Sequence, residues 1–382
     1  MIHYYAWGES VEKVKTMFIW FMIFCYIVMP SSWHLTVFAG DDASVINIKI
    51  MQTTDMHGNI LDYKYQSAEK TVDFGLVRTA SLIKKIREKY ENTLLFDTGD
   101  ILEGNALGEY AYRSRFFNLG RVHPVIKAMN YLNYDGATVG NHEFNYGLNF
   151  LMQSLQGAAF PFVNANIYID DHNTNPLDDI NLLPPYIIQD KEWTDESGVK
   201  QKLKIGIIGF VTPIVAEWDK EYFRDKLIVK NISETARHYV PLMKEEGADI
   251  IVALAHVGMD ADKGLQEKEG NSVSDLSQVS GIDAILYGHT HSVYPSRPGL
   301  NLVNTSRPAI VQAGYWGNHL GIIDLKLVNK NGIWKVEKST SSIQTIYRTI
   351  KNKKIPVTGR DTELEKLMMK DHLNVKKFSE IK

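Results

Sequence analysis

The sequence predicts an α/β fold with a largely buried sheet, and two observations carry this prediction. Short apolar runs of strand length alternate along the chain with segments whose apolar residues recur at helical spacing. Each of these apolar runs is also followed at once by polar side chains that can bind a ligand. In α/β sheets ligands bind beyond the carboxyl ends of the strands, so these side chains are expected to meet.

Five apolar runs, taken in chain order, end in side chains that suit metal binding or proton transfer. They are "INIKIMQTTDMHGN" from Ile46, ending in Asp55 and His57; "TLLFDTGD" from Thr93, ending in Asp97 and Asp100; "GATVGNHE", ending in Asn141 and His142; "DIIVALAH", ending in His256; and "IDAILYGHTH" from Ile282, ending in His289 and His291. Each run has the length and the boundary signals of a strand.

Three helical segments lie between these strands. The clearest is "GLVRTASLIKKIREKY", Gly75 to Tyr90, which combines apolar residues at helical spacing with a basic face. "HPVIKAMNYLN" and "SETARHYVPLMKEEGA" show the same spacing more weakly. Their positions between the strands support strand–helix alternation.

The net charge and the cysteine content narrow the choice of binding partners and of metal ligands. The formal net charge of −3 gives no electrostatic reason to expect a nucleic acid partner. The only cysteine, Cys25, lies in an apolar run near the N-terminus. Metal ligands elsewhere must therefore be His, Asp, Glu, Asn or Gln.

Residues 1–39 have the composition of a secretory signal peptide. Lys13 and Lys15 precede the apolar run Met17 to Met29, and small residues follow up to Ala39. The alternative is an uncleaved membrane anchor, although thirteen apolar residues are fewer than the ~20 that a spanning helix needs. We expect a secreted, periplasmic or cell-surface bacterial protein that meets the membrane only through this segment.

Taken singly, each of the five strand ends has an ordinary structural explanation. A histidine after a strand can be a satisfied turn residue, an aspartate can cap a helix, and a glycine can mark a turn. Independent turns give no reason for Asp-x-His, Gly-Asp, Gly-Asn-His-Glu and Gly-His-x-His to occur in one chain. The joint pattern therefore indicates a functional site.

The motifs "DMH", "GDILEG", "GNHEFN", "AHVG" and "GHTH", in this order, resemble those of the calcineurin-like metallophosphoesterases. Within that family the chain is most similar to secreted bacterial 5′-nucleotidases and 2′,3′-cyclic-nucleotide 2′-phosphodiesterase/3′-nucleotidases, and nearer to the latter. The likeness covers roughly residues 46 to 370. It implies a four-layer α/β/β/α sandwich with two mixed sheets.

The resemblance also implies a centre for two divalent metal ions, such as Mn, Zn, Fe or Co. One ion would be held by Asp55, His57, Asp100 and His291, and the other by Asp100, Asn141, His256 and His289. Two cations about 3.5–4 Å apart need a shared anionic oxygen, which Asp100 would supply. The expected reaction is attack of hydroxide on the phosphorus of a nucleotide or another small phosphoester.

His142 and Asn145 are the expected catalytic residues. His142, beside Asn141, would stabilise the transition state and protonate the leaving oxygen as a general acid. Asn145 stands where 5′-nucleotidases commonly have Asp, and it would either act on His142 or cap the helix that follows. Glu143 is expected to turn away from the site and fix the loop.

We expect a metallophosphoesterase domain over residues 40–350, followed by a lysine-rich tail and a linker-type helix over 351–382. The nucleotide-binding domain that follows in the family is not expected within this tail, which is too short for one, and a separately encoded partner could supply it. The alternatives are a 5′-nucleotidase or nucleotide-sugar hydrolase, or a non-catalytic remnant that acts as a binding module.

Overall fold

The computed structural model describes residues 44–380 apart from 115–116, 118–119, 174, 176–178, 261–269, 297–301 and 305–307. The predicted signal segment lies outside the described residues. The strands are β1 (Val45–Thr53), β2 (Tyr63–Lys64), β3 (Glu69–Lys70), β4 (Thr93–Asp97), β5 (Gly136–Ala137), β6 (Ile167–Ile169), β7 (Tyr186–Thr194), β8 (Lys200–Val211), β9 (Leu227–Val229), β10 (Ile250–His256), β11 (Ala284–Tyr287), β12 (Val293–Tyr294), β13 (Leu302–Asn304), β14 (Ala309–Ala313), β15 (His319–Lys330), β16 (Ile333–Thr345), β17 (Tyr347–Ile350) and β18 (Lys353–Pro356).

The helices alternate with these strands over the first two thirds of the chain. They are α1 (Leu76–Lys89), α2 (Ala106–Arg113), α3 (Pro124–Tyr131), α4 (Leu148–Leu155), α5 (Val215–Trp218), α6 (Lys220–Phe223), α7 (Ile232–Glu245), α8 (Val273–Leu276) and α9 (Thr362–Glu380), with a 3₁₀ turn at His142–Phe144. Within the described part of the chain, every helix is too short or too polar to cross a membrane.

Two six-stranded mixed sheets form the centre of the fold. The first has the order β13-β16-β15-β1-β4-β5, and the second has the order β12-β14-β11-β10-β8-β7. In the first sheet β1, β4 and β5 run parallel, whereas β15 is antiparallel to β1. In the second sheet β8, β10, β11 and β14 run parallel, whereas β7 is antiparallel to β8.

The two sheets pack face to face through alternate residues of their strands. In β10, Ile250, Val252 and Leu254 belong to the apolar cluster shared with the first sheet, where they meet side chains of β1 such as Ile48. The intervening residues, such as Ile251, belong to a separate cluster on the outer face. This period of two buries both faces of the sheet, as the near-continuous apolar sequence of β10 requires.

Helices cover the two outer faces and complete four layers. On the first sheet, α1 packs through Leu76 and Ile83 in the same cluster as Met51 of β1. On the second sheet, α7 packs through Ala236 and Val240 in the same cluster as Ile251. The predicted α/β/β/α sandwich with two mixed sheets is confirmed.

The C-terminal helix α9 packs on the first of these helical layers. Leu364, Met368 and Val375 lie on one face of α9 and are buried in the cluster that contains α1 and α3. The Asp361 carboxylate accepts hydrogen bonds from the backbone N–H groups of Glu363 and Leu364 at 3.1 and 2.9 Å and so begins the helix. The linker-type helix expected at the end of the tail is therefore part of the packed core.

The packing of α9 gives a test with a matched control. We expect Met368→Ala to cost about 2–5 kcal/mol of unfolding free energy, because the truncation leaves a cavity in the core. Met369→Ala removes the same side chain from a position that is 39% exposed, and it should cost less than about 0.5 kcal/mol. Guanidinium unfolding monitored by circular dichroism measures both variants. Equal losses of stability would contradict this packing.

Candidate metal centre

The loops after β1 and β11 bring three of the predicted ligands together. Asp55 and His57 follow β1, and His291 follows β11. The Nε2 atom of His291 lies 3.4 Å from Oδ1 of Asp55 and 3.2 Å from Nε2 of His57. Single atoms of these three side chains can therefore converge on one ion.

A second group forms where the ends of the two sheets meet. Asp100 follows β4, and its Oδ2 atom lies 3.0 Å from Nε2 of His256, the last residue of β10. Close by, Nδ1 of His289 lies 3.0 Å from Oδ1 of Asn141. The backbone N–H of His289 also contacts both Asp55 carboxylate oxygens, at 3.1 and 3.2 Å, which links this group to the first.

Asp100 lies between the two groups. Its Oδ2 atom is 3.8 Å from Nε2 of His57, and its Oδ1 atom accepts a hydrogen bond from the backbone N–H of His142 at 2.8 Å. The structure thus brings all seven predicted ligands to one place: Asp55, His57, Asp100, Asn141, His256, His289 and His291.

The imidazoles of this centre present lone pairs that suit a cation. Nδ1 of His57 bonds to the Glu103 carbonyl and Nδ1 of His256 to the Thr98 carbonyl, each at 2.8 Å. Each Nδ1 must therefore carry the proton, so that Nε2 faces the site. Nε2 of His256 is buried and faces the Asp100 carboxylate at 3.0 Å. The donor set of imidazole, carboxylate and amide oxygen fits first-row divalent metals.

The local electrostatics favour positive charge at the same point. Burial disfavours the charged form of His256, but the Asp100 carboxylate outweighs burial and raises the pKa of His256 to about 10. Burial likewise opposes the charge on Asp100, and the facing imidazole of His256 outweighs it and lowers the pKa of Asp100. Either a proton on His256 or a metal ion beside His256 and Asp100 would supply this positive charge.

The backbone of the ligand loops is strained. Five of the seven predicted ligands have a left-handed φ, between 45° and 78°: Asp55, His57, Asp100, His289 and His291. Such conformations are uncommon for residues with a side chain, and they persist where the surrounding structure enforces them. Their concentration at one place supports a functional site.

A glycine allows the loops to approach one another closely. A Cβ atom on Gly140 would lie 2.3 Å from Oδ1 of Asp100 and 2.7 Å from Cε1 of His256. Any side chain here would displace Asp100 and His256, two of the predicted ligands. The glycine of "GNHE" is therefore required by contact between the strand ends.

Glu143 fixes the loops, as the sequence indicates. Its buried carboxylate accepts hydrogen bonds from the backbone N–H groups of Asp100, Ile101 and Gly140, at 2.6 to 2.7 Å, and from Leu102 at 3.1 Å. Burial and the nearby Asp100 carboxylate raise the pKa of Glu143, and the backbone donors oppose this shift. Glu143 thus ties the loop after β4 to the loop after β5.

His142 lies beside the centre with its side chain 41% exposed. Its Nδ1 atom is 2.6 Å from Oδ1 of Asn145 and 3.3 Å from Oε2 of Glu103. Burial lowers the pKa of His142, but the Glu103 hydrogen bond and the Asp100 charge outweigh burial and raise it to about 9. Of the two roles considered for Asn145, contact with His142 is present, whereas α4 has no side-chain cap.

The model of the calcineurin-like phosphoesterase family matches residues 48–293, which include every strand end described above. The chain belongs to the calcineurin-like phosphoesterases. Proteins of this family use divalent metals, and the clustered carboxylates and imidazoles of this phosphoesterase domain are its candidate ligands.

Curated relatives agree with the branch that the sequence motifs indicate. The chain is 42% identical over 347 residues to the 2′,3′-cyclic-nucleotide 2′-phosphodiesterase/3′-nucleotidase of Salmonella typhimurium, covering 89% of the chain and 52% of that protein. It is 43% identical over 328 residues to the trifunctional nucleotide phosphoesterase protein YfkN of Bacillus subtilis, covering 83% of the chain and 22% of that protein. The chain thus spans about half of the former relative and less of the latter.

Solved structures show the same fold. The crystal structure of calcineurin-like phosphoesterase YfkN from Bacillus subtilis matches with a TM-score of 0.77 and 42% identity, covering 88% of the chain and 99% of that structure. A 5′-nucleotidase precursor from Thermus thermophilus matches with a TM-score of 0.61, 86% of the chain and 59% of that structure, at 21% identity.

Three neighbours of the phosphoesterase site were missed in the sequence. Glu103 faces His142, Asp219 accepts a hydrogen bond from Asn145, and the half-exposed Trp218 ring lies 5.6 Å from the His289 ring. Glu103 is part of "GDILEG" but does not directly follow a strand. Trp218 ends the short helix α5 and Asp219 follows it, in a segment with no recognisable motif, so no signal in the single sequence marks them.

The buried Glu143 gives a test of how the metal loops are held. We expect Glu143→Gln to weaken divalent metal binding by roughly 10- to 100-fold, because its amide N–H₂ would face backbone donors that need an acceptor. Isothermal titration of the metal-free protein with Mn²⁺ measures the affinity. Glu363→Gln, on the exposed side of α9, is the control and should bind as the parent does. Unchanged affinity in Glu143→Gln would contradict this role.

Proposed function

We propose that this chain is a phosphoester hydrolase with two divalent metal ions. Asp55, His57 and His291 would hold one ion and Asn141, His256 and His289 the other, with Asp100 shared between them. The observation that carries the proposal is the position of the Asp100 carboxylate, 3.8 Å from His57 on one side and 3.0 Å from His256 on the other. The ions would be Mn, Zn, Fe or Co, since the ligand set does not choose among them.

The bound ions would polarise the phosphoryl oxygens and make water nucleophilic near neutral pH. The protein contributes the remaining parts of the reaction. His142 would donate a proton to the leaving oxygen from the open side of the centre, where its side chain is partly exposed. Asn145 would hold the imidazole by accepting from Nδ1, which leaves Nε2 to face the substrate.

The substrate class that we propose is 2′,3′-cyclic and 3′-nucleotides. The names of three relatives at 37–42% identity support this choice, although each of these relatives is longer than the matched region. A 5′-nucleotidase or nucleotide-sugar hydrolase is the second candidate, and it is supported by the more distant snake venom 5′-nucleotidases at 27% identity. Relative rates on 2′,3′-cyclic, 3′- and 5′-nucleotides separate the two candidates.

We further propose that the protein works outside the cytoplasm of a bacterial cell, on the support of the basic, apolar and small-residue pattern of residues 1–39. The nucleotide base would be bound by a separate domain, which is not among the described residues. The structure describes a metal centre that faces solvent at His142, and a base-binding domain would cover this side.

A chromogenic phosphodiester tests the hydrolase against a non-catalytic remnant. We expect bis-p-nitrophenyl phosphate to be hydrolysed, activity to be lost with a chelator, and activity to return with Mn²⁺. On a 2′,3′-cyclic nucleotide, whose leaving alkoxide needs a proton, His142→Ala should lower kcat by roughly 10²- to 10⁴-fold while both metals stay bound, because it removes only the acid. Asp100→Asn should lose metal as well as activity. A parent chain that binds metals but hydrolyses no ester would support the remnant instead.

A further inference from the structure

We propose that Asp219 is a positioning residue that orients the His142 imidazole through the side-chain amide of Asn145. This inference rests on the proposed function, in which His142 is the general acid. Asp219 lies between the short helices α5 and α6, in the connection from β8 to β9, and is 74 positions from Asn145 in the sequence. It has no place among the predicted metal ligands.

Three side chains form a continuous hydrogen-bonded chain that ends at Asp219. Nδ1 of His142 lies 2.6 Å from Oδ1 of Asn145, and Nδ2 of Asn145 donates to Oδ1 of Asp219 at 2.9 Å. Both distances are those of well-formed hydrogen bonds. The amide is thus engaged on both sides, and the imidazole is engaged at the nitrogen that faces away from the substrate.

The chemistry of the three groups allows only one orientation of the amide. An ionised carboxylate can only accept, so Asp219 requires the amide nitrogen of Asn145 to face it. The amide oxygen must then face His142, where it accepts from Nδ1–H. With the amide turned over, its oxygen would face the Asp219 carboxylate and its N–H₂ would face Nδ1–H. Asp219 therefore decides which atom of Asn145 meets the imidazole.

The loop that carries Asp219 is fixed against the turn that carries His142. Asp219 is only 7% exposed, and its backbone N–H donates to the Val215 carbonyl at 2.9 Å. The buried Phe223 ring packs 4.8 Å from the Phe144 ring, which belongs to the same 3₁₀ turn as His142. This packing therefore helps to fix the distance between the Asp219 carboxylate and the His142 imidazole, in addition to the hydrogen bonds of the Asn145 amide.

Glu103 is a second acceptor for the same imidazole nitrogen. Its Oε2 atom lies 3.3 Å from Nδ1 of His142, farther than the Asn145 oxygen. Two carboxylates thus lie near Nδ1 of His142: that of Glu103 in direct contact and that of Asp219 beyond the Asn145 amide. The shorter contact assigns the orientation of the ring to Asn145 and Asp219.

An exchange of the two side chains tests this chain of hydrogen bonds. Asn145→Asp alone places two carboxylates at the 2.9 Å contact, and we expect kcat to fall roughly 10- to 100-fold with KM and metal content unchanged.

Combining Asn145→Asp with Asp219→Asn restores every donor–acceptor pair. The amide introduced at position 219 then donates to the carboxylate introduced at position 145, and that carboxylate accepts from His142. The double variant should recover kcat to within about threefold of the parent. Initial rates on a 2′,3′-cyclic nucleotide, whose leaving alkoxide needs a proton from His142, measure each variant.

Asp195→Asn is the matched control. Asp195 has the same 7% exposure and also accepts hydrogen bonds within a turn, but in the β7–β8 hairpin away from the centre. The Asp195→Asn variant should have the same kcat as the parent.

The proposal is overturned if Asn145→Asp is as active as the parent, or if the double variant is no more active than Asn145→Asp. An inactive parent with its metals bound would overturn the hydrolase as well, whereas an active parent without rescue overturns Asp219 alone.

Discussion

The Asp100 carboxylate at the junction of the two sheets is the interaction on which the rest of the structure depends. It contacts His256 from the second sheet, and His57 and the backbone of His142 from loops of the first sheet. A buried carboxylate surrounded by imidazole lone pairs is stable only with positive charge between these groups. The strand ends, the left-handed loop residues and the proposed metal ligands all lie around the Asp100 carboxylate.

The fold supplies the rigidity that such a site needs. Both sheets are buried on two faces, so the ends of β1, β4, β5, β10 and β11 are fixed before any ligand is bound. Glu143 then joins two of the ligand loops through four backbone hydrogen bonds. These contacts hold the left-handed residues of the proposed ligand set in place.

The sequence predicts the strand ends well because their physics is local. An apolar run that ends in Asp-x-His or Gly-His-x-His predicts a buried strand followed by candidate ligands, and parallel strands bring those side chains to one edge. Asp219 and Trp218 were not predicted because they reach the site through the tertiary packing of two four-residue helices, which are too short to show a periodic pattern. The core packing of α9 is also unpredicted, since an amphipathic pattern does not specify which surface it covers.

Anomalous diffraction from crystals of the Mn²⁺-loaded protein tests the central claim most directly. We expect two manganese peaks about 3.5–4 Å apart, with the Asp100 carboxylate between them and His57 and His256 on opposite sides. A single peak, or two peaks that leave Asp100 outside both coordination shells, would contradict it.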